Sequence, residues 1–149
     1  MIVLFVLVIT ALAARTLGGM GVDVLDSWPG AVRAGLAVML VFTAIAHFKA
    51  LKTDLVRMVP SWVPNPVAMV RFTGLCEILG GVGLLVPWTR PVAAVALIVF
   101  FVAVFPANVH AARHGISLGG RQATPLWLRA PMQLLFIGLT WWSGLAAGR

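Results

Sequence analysis

Residues Thr73 to Arg90 read TGLCEILGGVGLLVPWTR: a glycine-rich apolar run that holds one carboxylate, Glu77, and breaks at Pro87. Read outward, the apolar stretch extends from Pro66 to Val86, with Arg71 one turn in. A bilayer-spanning helix needs roughly 20 mostly apolar residues, because the hydrocarbon layer is about 30 Å thick and each residue rises 1.5 Å. The stretch therefore reads as a spanning helix rather than a soluble core helix. The break Pro87-Trp88-Thr89-Arg90-Pro91 is short enough to return the chain at once as a second span.

The rest of the 149-residue chain agrees. Hydrophobic residues make up 61% and charged residues only 10%, against about 25% charged in a soluble domain. Mean hydropathy is +1.03. Such a chain has too little polar surface to cover a water-exposed globule. Its net charge of +7 is spread singly between apolar segments rather than gathered on a nucleic-acid-binding face. The single cysteine, Cys76, excludes a dithiol pair or a thiolate zinc cluster within the chain.

Further spans read at approximately 1–17, 30–49, 91–112 and 130–147, beside 66–86. The sequence thus predicts an all-α polytopic membrane bundle in one domain, with four core transmembrane helices plus an N-terminal helix. Asn65 before Pro66 and Thr124 before Pro125 read as capping residues ahead of a proline at the first helical position. The first segment is short; Arg15 can snorkel outward and let it continue to Leu17. Ala11-Leu12-Ala13 resembles a signal-peptide cleavage site, but no basic n-region precedes it, so a retained helix is expected.

With five spans, Lys49, Lys52, Arg57, Arg71, Arg113, Arg121 and Arg129 share one side and Arg15, Arg33, Arg90 and Arg149 the other. The excess of Lys and Arg predicts a cell-membrane protein with its N-terminus and two long loops in the cytoplasm. All six tryptophans fall near predicted helix ends, as interfacial aromatics do. An offset of 64 residues aligns Phe72, Gly74, Leu75 and Gly80 with Phe136, Gly138, Leu139 and Gly144, a weak sign of tandem duplication.

Glu77 most demands a chemical explanation. An ionised carboxylate near the middle of a spanning helix costs several kcal/mol unless paired or neutralised, so it is expected to face the bundle interior. Thr73, one turn earlier, shares its face, and Gly74, Gly80, Gly81 and Gly83 admit a close neighbour. His47, Lys49, Asn108, His110, Arg71 and Gln133 all lie toward the predicted cytoplasmic side. With Glu77 at the deepest point, they outline a small-molecule pocket, with Glu77 and His47 as candidate catalytic groups and Asn108, Arg71, Thr73, Gln133, Lys49 and His110 as candidate ligand contacts. A structural carboxyl that ties helices together is the competing reading of Glu77. Pro106 frees a carbonyl one turn earlier. His110 and His114 have a metal-compatible spacing but no accompanying carboxylate or cysteine, and no metal site is expected.

Four stretches carry a family resemblance: Ala46-His47-Phe48, MVPSWVPNP from Met58, the quoted run from Thr73, and FPANVHAARHG from Phe105. From about Ala34 to Trp142 the chain resembles the DoxX-like family of small bacterial integral membrane proteins. The resemblance implies four core helices with the N-terminal helix as an addition. The name-giving members are similar to a membrane subunit of a thiosulfate:quinone oxidoreductase, and other relatives are associated with redox or oxidative-stress complexes. A redox-associated role is thereby implied, with quinone as the cofactor and a soluble redox partner; a homodimer is the assembly expected if so short a chain is to form a transport path. Two readings compete with it: a non-catalytic membrane scaffold that docks a soluble partner, and a small-solute or proton transporter.

Overall fold

A computed structural model describes residues 2–48, 52–118, 120–122 and 124–147. Six α-helices follow in order: α1 (Ile2–Gly19), α2 (Trp28–Phe48), α3 (Lys52–Met58), α4 (Pro66–Leu85), α5 (Arg90–Arg113) and α6 (Leu126–Trp141). A 3-10 turn at Asp23–Leu25 joins α1 to α2, and α6 continues into a π-helical segment at Trp142–Ala146. Ser117–Leu118 pairs antiparallel with Arg121–Gln122, a minimal ladder inside the α5–α6 loop. The protein is an all-α helical bundle.

Four helices, α1, α2, α4 and α5, are long and apolar enough to cross a membrane. The α6 helix alone has 16 residues, but the π-helical segment carries it on without a break to Ala146. Together they make a rod of roughly 30 Å. Outward-facing side chains are apolar along most of the bundle: Phe5, Ile9, Leu79, Val92, Val99 and Leu134 are all exposed. Water would penalise that surface, whereas a bilayer accepts it. This is a membrane protein.

The centre of the bundle is α2. In its Trp28–Ile45 window 56% of residues are buried, against 22% in α1 and in α5. It packs on α1 along one side, on α4 along the other and on the π-helical segment near its start. Leu36, Met39 and Leu40 form its inner stripe and meet Leu84, Leu97 and Phe101. Small residues set the approach distances. A Cβ on Gly35 would stand 2.8 Å from the Leu7 carbonyl oxygen, and one on Gly81 would stand 3.3 Å from Ala37 Cα. Dispersion across close backbones is the main attraction between helices in lipid.

The expected caps divide. Asn65 accepts from the Ala68 amide at 3.1 Å, ahead of Pro66. Thr124 does not cap; Pro125 takes the N-cap position with extended backbone, and no side chain bonds the first turn of α6. The expected tight break is closed by Thr89, whose hydroxyl donates to the Gly83 carbonyl at 2.9 Å. Arg15 does turn outward, pairing with Asp26 at 2.7 Å and lying over the Trp28 ring.

Candidate functional site

The α2 helix delivers His47 in its last turn and α4 supplies the surface that receives it. Gly74 makes the seat: a Cβ there would fall 2.7 Å from His47 Cβ and 3.1 Å from His47 Cγ. Because the position is empty, the imidazole lies flat along α4, with one ring nitrogen toward Val70 and the other toward Glu77.

Nδ1 of His47 is 2.8 Å from the Val70 carbonyl oxygen and 3.1 Å from Thr73 Oγ1. A carbonyl only accepts, so Nδ1 carries a proton. The Thr73 hydroxyl donates its own proton to Val70 O at 2.9 Å, which leaves a lone pair facing Nδ1. With Nδ1 fixed as donor, Nε2 becomes the titrating nitrogen. It lies 3.5 Å from Glu77 Oε2, longer than the ~2.7–3.2 Å of a formed hydrogen bond. Oε2 is buried and has no hydrogen-bond partner among the described residues. The Thr43 hydroxyl stands beside the Glu77 carboxyl.

With Nδ1 protonated, the facing atoms Nε2 and Oε2 are complementary when one proton lies on either of them. The pair is either a neutral imidazole beside a carboxylic acid or an imidazolium beside a carboxylate. Removing the shared proton would leave a buried, uncompensated carboxylate, which is strongly unfavourable.

The expected site residues fall into separate places. His47, Thr73 and Glu77 come together, but Thr73 bonds the histidine and the Val70 carbonyl rather than Glu77. Helical threonines commonly bond backward to the preceding turn. Asn108 and Gln133 form a second cluster between α5 and α6. Asn108 Nδ2 donates to Gln133 Oε1 at 3.3 Å, Arg129 Nη1 donates to Asn108 Oδ1 at 2.8 Å, and Gln133 Nε2 donates to the Phe101 carbonyl. That carbonyl is next to the one at Val102 that Pro106 deprives of its helical donor. His110 stacks on His114, ring centroids 4.1 Å apart. Arg71 is exposed on the outside of α4, and Lys49 lies outside the described residues. No group of three metal-ligating side chains occurs among the described residues.

Sequence reading did not single out Thr43, Arg129 or Arg33. Arg33 was counted with the loop charges, yet it is buried inside α2, and its Nη1 donates to the Ser143 carbonyl at 2.7 Å. Its position within an apolar span, the criterion that selected Glu77, would have found it.

Fold and site define an all-α membrane bundle with a protonatable pair buried between two of its helices. Residues 36–144 match the family described as Domain of unknown function (DUF8561), and the chain belongs to it. The matched stretch contains His47, Glu77, Asn108, Arg129 and Gln133, and begins after α1 and Arg33. No curated protein and no solved structure matches the chain.

Proposed function

We propose that the protein is a redox-associated membrane protein of DoxX-like type, in which His47 and Glu77 exchange a proton with a quinone headgroup held beside them. The observation that carries this reading is the buried approach of His47 Nε2 to Glu77 Oε2 at 3.5 Å, with Nδ1 held by the Val70 carbonyl and Thr73 on the opposite side of the ring. Reduction of a quinone to a quinol takes two electrons and two protons. The pair supplies one proton at a time and is recharged from the same end of the bundle. The electrons come from a partner subunit that carries a redox centre. In the same reading the protein lies in the cell membrane with the His47 end facing the cytoplasm.

The test is binding and turnover in nanodiscs. Wild-type protein is expected to bind a short-chain quinone analogue and to support quinone-linked electron transfer when its redox partner is added. Glu77→Gln retains a polar group of the same shape but carries no exchangeable carboxyl proton, so binding persists and transfer is lost. If Glu77→Gln and His47→Ala both leave binding and transfer unchanged, the mechanism is wrong. A proton-transport reading is favoured by one observation, the depth of Glu77 in a spanning helix. Proteoliposomes that show no flux down a pH gradient would remove it.

A further inference from the structure

The opposite end of the bundle carries a polar feature that the proton pair does not use. Arg33 lies roughly 8 Å beyond the start of α2 and is only 8% exposed. Its partner, the Ser143 carbonyl, belongs to the π-helical segment, whose wider turn disturbs the regular backbone ladder and is a frequent mark of functional positions. The next residue, Gly144, stands against Ala94 of α5 and Leu84 of α4. The Leu84 carbonyl in turn faces Arg90 Nε at 3.4 Å. Four elements thus meet at one corner and bring two guanidinium groups into it.

Among the described residues no ion pair joins a carboxylate to either of them. Of the four acids in the chain, Glu77 faces His47, Asp26 pairs with Arg15, Asp54 is on α3 at the other end, and Asp23 is exposed in the 3-10 turn. Two like charges in a poorly hydrated corner repel unless an anion joins them. Each guanidinium has five donors in a planar fork, and one from each is directed at a carbonyl. The remaining donors suit a group with several oxygens, phosphate above all. One turn before Ser143, Thr140 is fully buried, and its hydroxyl has no partner among the described residues. Trp88, Trp141 and Trp142 are exposed at this end, as expected at the level of lipid headgroups.

We propose that Arg33 and Arg90 form a binding site for a phosphate group, supplied by an anionic phospholipid of the surrounding leaflet. The site is independent of the quinone reading. Arg90, half-buried at the start of α5, meets the headgroup first, and Arg33 takes it from below while holding the π-helical segment in place. An occupied site joins α2, the α4–α5 break and the end of α6, so bound lipid stabilises the bundle.

The experiment uses delipidated full-length protein, titrated with phosphatidylglycerol, with phosphatidylcholine and with inorganic phosphate. Adducts are read by native mass spectrometry and the melting midpoint by thermal unfolding. Phosphatidylglycerol is expected to bind with defined stoichiometry and raise the midpoint. Arg90→Gln should weaken it about tenfold, the size expected for one charge-assisted contact. Arg33→Lys, which keeps the charge and loses the fork, should also weaken it, and Arg57→Gln on exposed α3 should not. If inorganic phosphate matches the lipid in wild type and fails in Arg90→Gln, the site stands and its occupant is a free anion. The proposal is overturned if Arg90→Gln and Arg57→Gln weaken binding equally, which is general charge attraction, or if neither anion raises the midpoint.

Discussion

The direction of a single histidine proton organises the site. Val70 O can only accept, so the His47 tautomer is settled by a backbone atom, and the shared proton is confined to the Glu77 side of the ring. This makes the two halves of the pair unequal under mutation. Glu77→Gln can donate an amide proton to Nε2, and its stability should stay within about 1 kcal/mol of wild type. His47→Ala leaves both a void at the Gly74 seat and a buried carboxyl without its polar neighbour. A loss of roughly 2–4 kcal/mol follows. Unfolding in detergent measures both; equal losses would contradict the unequal roles of the two side chains. Glu77 was legible in the sequence because a carboxylate inside an apolar span is costly wherever it sits. That His47 would be its partner was legible only as a shared end of the bundle. The ring's rotation depends on which α4 turn lies opposite α2, and sequence spacing does not contain that register.

Helices here are held apart by what their glycines lack, and the glycines are not equivalent. Gly74 and Gly138 are matched in the 64-residue offset, yet a Cβ on the first collides with His47 and one on the second meets nothing within 4 Å. Gly74→Ala should force α2 from α4 at the proton pair. It should cost about 1–3 kcal/mol and reduce any His47-dependent quinone binding. Gly138→Ala should gain about 0.5–1 kcal/mol from helix propensity. Gly35→Ala is the stricter case, because the nearest atom is the Leu7 carbonyl oxygen at 2.8 Å and backbone cannot rotate away. It should loosen α1, and limited proteolysis of the α1–α2 turn would show this. Composition announced that glycines matter in these helices. Which glycine faces a neighbour follows from packing angles, and these are decided by side chains on other helices. The same limit separates Asn65, which caps, from Thr124, which does not: each precedes a proline, but only Asn65 takes up the left-handed backbone from which its side chain reaches the first turn.

At the scale of the whole molecule, the spans were legible because hydrocarbon thickness sets a length and length is written directly in sequence. Span ends differ from the reading by two residues at most where the ends are regular, as at Trp28–Phe48 and Pro66–Leu85. The last helix differs more: of the two starts the prolines offer, near Pro125 or near 130, it takes the earlier, at Leu126, and it ends in a π-helical segment that apolar periodicity does not encode. Its continuity to Ala146 nevertheless gives a fifth rod of roughly spanning length beside the four long apolar helices, and five spans are what the proposed orientation requires. The proposed orientation rests on loop charge. In a Cys76→Ala background, Asp23→Cys and Ser117→Cys place one exposed thiol at each end of the bundle. A membrane-impermeant thiol reagent should label Asp23→Cys in intact cells and Ser117→Cys only after permeabilisation. The reverse pattern would turn the His47–Glu77 pair away from the cytoplasm and deprive it of a cytoplasmic electron donor. Labelling of both from outside cannot come from a single orientation, since three helices of spanning length, α2, α4 and α5, lie between the two positions. In that case the bundle as a whole would be inserted in both orientations, and the excess of basic residues at the His47 end would not be the orienting feature.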